Sequence, residues 1–210
     1  MKTDDLIAAL AQDAEGARSR KRTRLALIAA LGLGLIAAVC VVWGLGVMRG
    51  RDAMMPVMMK SGFSALLAAA SLPLLARLSQ PGRPIRSALI VIAGVLAVTA
   101  AAFVTAMMGE APEARMRAMT GGGFPWCLVF IPILAIPAAA GLFWVVRGLA
   151  PTRLAAAGAA VGAAAGSLGA IAYSLYCPID SPAFVTLWYT AGIGVSAALG
   201  ALVGSRLLRW

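Results

Sequence analysis

The sequence predicts an all-α integral membrane protein, a bundle of six transmembrane helices with both ends in the cytoplasm and a short amphipathic helix ahead of the first span. Three observations predict it. Hydrophobic residues fill 61% of 210 positions and charged residues 12%, against about a quarter charged in soluble domains. The apolar residues fall in long blocks broken by short charged stretches, a pattern that a bilayer imposes and a globular core does not. Lysine and arginine divide unequally between the two sets of connections.

The N-terminal stretch differs from everything after it. Thr3 can cap a helix whose first turn holds Asp4 and Asp5, where negative charge meets the positive end of the helix dipole. Leu6, Ile7 and Leu10 share one face, with Ala14 continuing it. This acidic helix has too few apolar residues to fold alone and the wrong charge for a lipid surface, so a protein partner would cover its stripe; simple disorder is the alternative. The run Arg18, Arg20, Lys21, Arg22, Arg24 follows and suits anionic headgroups beside a span. Residues 1–24 are therefore expected to form a cytoplasmic partner-binding segment, and residues 25–210 the membrane domain.

Six apolar blocks follow: Leu25 to Val47, Val57 to Ala76, Ser87 to Met108, Gly121 to Val146, Leu154 to Tyr176 and Ala183 to Gly204. Each runs about 20 residues or more, enough at about 1.5 Å per residue to cross a hydrocarbon layer of about 30 Å. Their continuous apolarity favours helices over the alternating strands of a barrel. The second block is the weakest, with Lys60 near its start. Pro125, Pro132 and Pro137 would bend or loosen the fourth. Gly158, Gly162 and Gly166 recur every four positions in the fifth, and Gly200 and Gly204 repeat the spacing in the last, a stripe that lets helix backbones approach closely. The first block is too long for a signal peptide and follows a long, initially acidic stretch.

With the N-terminus inside, thirteen basic residues lie on the cytoplasmic side, while Arg49, Arg51, Lys60, Arg115 and Arg117 lie outside. Basic residues spread over helix ends in this way anchor a membrane protein and give no folded basic face for nucleic acid.

The available chemistry is narrow. The chain has no histidine, which excludes a histidine triad, proton shuttle or metal ligand. Apart from Lys60 the spans carry no ionisable acid or base, which weighs against ion-coupled transport. No phosphate-binding loop is present, so neither catalytic residues nor a cofactor are expected. Cys40 lies within the first span. Cys127 and Cys177 fall toward the outer face of one hairpin, and the methionines other than Met1 sit in or beside the outer loops. Thiols and thioethers are soft ligands and oxidisable, although methionine also suits helix ends and interfaces.

The opening MKTDDLIAALAQDA, the Cys127-Leu128 pair and the stretch from Tyr173-Ser-Leu-Tyr-Cys-Pro178 through Phe184 to Trp188-Tyr189 together resemble the NrsF-type bacterial membrane proteins, six-span anti-sigma factors that restrain an extracytoplasmic-function sigma factor. The likeness covers essentially the whole chain. It implies an inner-membrane protein whose cytoplasmic segment, here Thr3, Asp4, Asp5, Leu6, Ile7 and Leu10, holds the sigma factor. It also implies that Cys127 and Cys177 sense metal or oxidative stress at the outer face, by disulfide formation or by shared coordination of a soft metal ion. In the family pattern a histidine often precedes the second cysteine and an acid soon follows the proline; here Tyr176 and Ile179 stand in those places, with Asp180 one position later.

The function expected is a non-enzymatic, membrane-anchored anti-sigma factor. The alternative is a small transporter or channel for a neutral solute. A membrane thiol oxidoreductase is a third reading, disfavoured by the lack of a C-x-x-C pair.

Overall fold

The computed structural model describes residues 16–44, 54–79, 84–121, 125–149 and 151–209, with side chains from residue 22 onward. Among them every regular element is helical: α1 Gly16–Gly44, α2 Met54–Leu78, α3 Arg86–Met108, α4 Pro112–Thr120, α5 Cys127–Arg147, α6 Leu154–Ser174 and α7 Pro182–Leu207. All but α4 are long and apolar enough to cross a membrane, α1 through its Arg22–Gly44 portion.

The six expected blocks correspond to these six helices, with edges moved by local chemistry. The fourth was expected from Gly121, yet α5 begins at Cys127. Gly121 instead ends α4 in the left-handed conformation at φ 62°, its N–H bonded to the Arg117 carbonyl, a helix stop that glycine tolerates without strain. Pro125 opens α5 rather than bending it, since its carbonyl accepts from the Leu128 N–H. Pro132 and Pro137 do lie inside α5, where each removes one intrahelical donor. The short α4 lay in a stretch expected to be loop; Pro112 at its start and Glu113 in its first turn are both favourable at a helix N-terminus.

The outward faces are apolar. Trp144, Val98, Ile28 and Leu202 are all exposed, the reverse of a soluble helix and the arrangement a lipid solvent requires. The most enclosed helix is α6 and the least is α3. Four helices, α1, α2, α5 and α7, pack on α6, and glycines set how closely. A Cβ on Gly158 would run into the Gly200 carbonyl of α7, and one on Gly162 into the Ser196 carbonyl. Such contact maximises dispersion where lipid removes the hydrophobic drive. Antiparallel to α5, α1 packs in the same way, Gly34 against Ala138 and Gly141 against Ala30.

Two buried clusters mark the ends of the bundle. One holds Leu75, Leu142, Val146 and Leu208. The other holds Cys127, Cys177, Phe184 and Tyr189, and polar chemistry concentrates there.

Candidate functional site

Cys127 is the first residue of α5, and Cys177 lies in the connector between α6 and α7. Both are buried, 0% and 1% exposed, and neither is in a disulfide. Fifty positions apart in sequence, they meet in the fold, and their thiols hydrogen-bond to one another. Cys40 lies on the exposed face of α1 and does not join them.

The local sequence explains each position. Beyond the end of α6 the connector still turns, with the Cys177 N–H donating to the Tyr173 carbonyl at 3.0 Å. Pro178 then stops helical continuation because it has no N–H to give. Ser181 precedes Pro182, the first residue of α7, a favoured residue for that place. On the opposite side, Gly192 of α7 lets the Cys127 carbonyl lie against its backbone, where a Cβ would approach to 3.0 Å.

Aromatic rings enclose the thiols. Phe130 stacks on Tyr173 at 5.9 Å between ring centres and 15° between planes, and Tyr189 packs on Tyr173 at 6.0 Å. The Tyr173 hydroxyl reaches Cys127, and that of Tyr189 faces Cys177. From α4, Met119 offers its carbonyl to the Trp188 indole N–H at 2.7 Å.

Lys60 is what reading the sequence left without a role. It is only 2% exposed; its ammonium donates to the Cys177 carbonyl at 2.9 Å and pairs with the Asp180 carboxylate at 2.7 Å. Beside it, the hydroxyls of Ser61 and Ser174 are 2.8 Å apart. A lone lysine inside an otherwise uncharged apolar block was the available signal, since such a charge needs a partner.

These groups act on Cys177. The hydrogen bond with Cys127 and the Lys60 ammonium favour its thiolate against the opposing effect of burial, and pull its pKa down to about 6. A thiolate is the form that attacks electrophiles and binds metal. Two sulfurs could hold a cation in two-coordinate geometry but fall short of a closed four-ligand site. Among the described residues no three His, Cys, Asp or Glu side chains gather to hold a metal ion.

The other expected site residues, Thr3, Asp4, Asp5, Leu6, Ile7 and Leu10, lie outside the described residues. The side chains of Met54, Met55, Met58 and Met59 on the first turns of α2 are exposed, and Met55 and Met59 line a cavity together with Lys60 and Asp180.

Comparison with known proteins places this architecture. Residues 10–210 match the family model described as NrsF, negative regulator of sigma F. The chain is 36% identical over 216 residues to the anti-sigma-F factor NrsF of Caulobacter vibrioides, with all of both chains covered. It is 34% identical over 218 residues to a protein named probable anti-sigma-F factor NrsF in Azospira oryzae, again end to end. No solved structure matches it.

Proposed function

The chain belongs to the NrsF family of negative regulators of sigma F, and from that membership we propose that it is a membrane-embedded anti-sigma factor for an extracytoplasmic-function sigma factor. In this reading the cytoplasmic N-terminal segment holds the sigma factor, and metal or oxidative stress met at the outer face releases it. The observation that carries the reading is the end-to-end likeness to two proteins named anti-sigma-F factors.

The site supports a signalling role for the cysteines. Peroxide would join the two sulfurs, each thiol giving up one proton and one electron while the peroxide is reduced to water; a soft cation would instead displace the protons and bridge the thiolates. Either event changes the head of α5. Because α5 packs along α1 through Ala138 on Gly34, and α1 leads back to the N-terminal segment, α5 offers a mechanical path to the grip on the sigma factor. The transporter reading has less support, since Lys60, the one charged side chain buried in a span among the described residues, is paired with Asp180 and the Cys177 carbonyl.

The test follows sigma-dependent transcription in cells challenged with cadmium, chromate and peroxide. Cys127→Ser and Cys177→Ser should each abolish induction while Cys40→Ser keeps it, and the full-length protein should co-purify with a sigma factor of its host. Normal induction in both outer-cysteine variants would remove the pair from the signal path, and failure to retain any sigma factor would refute the anti-sigma reading.

A further inference from the structure

Lys60 stands in an unusual place. An ammonium with 2% exposure on an apolar helix carries a large desolvation cost unless its surroundings compensate it. Lysines near span ends ordinarily extend toward the headgroups. This one turns inward, to the connector between α6 and α7. There the Cys177 carbonyl lies past the end of α6 and needs a donor from outside that helix. Lys60 meets that need at 2.9 Å, while Asp180, three residues along the same connector, balances its charge at 2.7 Å. One residue further along α2, Ser61 holds Ser174 at the end of α6. The connector is therefore gripped by α2 from the last turn of α6 to Asp180.

Cys127 is held differently. It begins α5, with its carbonyl against Gly192 of α7. The two thiols thus approach from separate supports, Cys127 from α5 and α7, Cys177 from the connector pinned to α2. The lysine sits on the joint between them.

We propose that Lys60 is the positioning residue of the cysteine pair: by donating to the Cys177 carbonyl and pairing with Asp180, it fixes the connector and so sets where the Cys177 sulfur meets Cys127. The inference rests on the reading that these two cysteines act together. It makes the outer end of α2 part of the device, though α2 contributes no sulfur. Both partners of Lys60 belong to the four-residue stretch Cys177–Asp180, so losing the lysine removes both of its holds on that stretch at once.

The test measures sulfur-to-sulfur geometry directly. The full-length protein, carrying Cys40→Ser, is reconstituted in lipid and treated with diamide, which accepts two electrons and two protons for each disulfide formed, and the Cys127–Cys177 disulfide is followed by mass spectrometry. Disulfide formation demands a narrow geometry, so Lys60→Met should slow it by about tenfold or more, while Lys60→Arg, which keeps a charged donor, stays within about threefold of wild type. A wild-type rate in Lys60→Met would overturn the proposal, as would an equal loss in Lys60→Arg, which would reduce the lysine to a space-filling role. Should Lys60→Met fail to insert, Asp180→Asn serves instead: slowing by about threefold or more supports the positioning role, and an unchanged rate overturns it. No sigma factor takes part, so failure here leaves the transcription test of the proposed function intact, and failure there does not alter this geometry.

Discussion

The Lys60 ammonium and the Asp180 carboxylate lie 2.7 Å apart in unequal surroundings, the lysine 2% and the aspartate 35% exposed. The inequality sets which partner the fold can spare. Without Lys60 the aspartate can be hydrated, whereas without Asp180 the ammonium is left buried with its charge unbalanced and the Cys177 carbonyl accepting from it. Asp180→Asn should therefore cost more stability, about 2 kcal/mol, than Lys60→Met at about 1 kcal/mol. Denaturation midpoints of the purified variants in one detergent would check this, and the reverse order would mean that the lysine is well solvated.

The Cys177 thiol should ionise far below an ordinary cysteine. Its pKa is drawn from 9.0 to about 6 by the bond with Cys127 and by Lys60, against burial. The thiolate should thus be lost only as pH falls through about 6, whereas a normal thiol would already be protonated below 9.0. The ultraviolet thiolate absorbance that disappears in Cys177→Ser, recorded across this range, reports the midpoint. A midpoint at or above the ordinary value would show that burial prevails.

Close packing of α6 on α7 leaves no room for a side chain at Gly158, where a Cβ would meet the Gly200 carbonyl. Gly158→Val should destabilise the bundle by about 2–3 kcal/mol, read as a lower thermal midpoint in detergent. Gly94 on α3 has nothing within 4 Å of where its Cβ would be, so Gly94→Ala should be neutral or mildly stabilising. Equal effects at the two sites would contradict this packing.

Alternating connections along six spans would put thirteen of the eighteen basic residues on one side, which sets the expected orientation. Reporters fused at the C-terminus and between Arg77 and Arg86 should report cytoplasm, and one near Arg115 the exterior. Reversal would place the cysteine end inside the cell and remove the outer-face reading.

The N-terminal stripe of Leu6, Ile7 and Leu10 should dock in an apolar groove of the sigma factor, with Asp4 and Asp5 meeting basic residues. Leu6→Asp combined with Leu10→Asp should release sigma-dependent transcription without stress while the protein remains in the membrane. Silent reporters with that variant inserted would exclude this segment as the grip.

Residue order alone determined the helical class and the six long apolar helices, because each depends on hydrophobicity along a continuous run. It also carried the family likeness, through the opening segment and the Cys-Pro stretch. It marked Cys127 and Cys177 as a pair only by their common end of one hairpin. Tertiary structure decided that their thiols touch, because the contact depends on Gly192 admitting the Cys127 carbonyl and on Pro178 turning the connector. It alone gave Lys60 its role, since the partners of that lysine lie 117 residues or more away. A charge in an apolar block shows in sequence as a penalty; which distant carbonyl and carboxylate offset it is settled only when α2 and the connector pack together on α6.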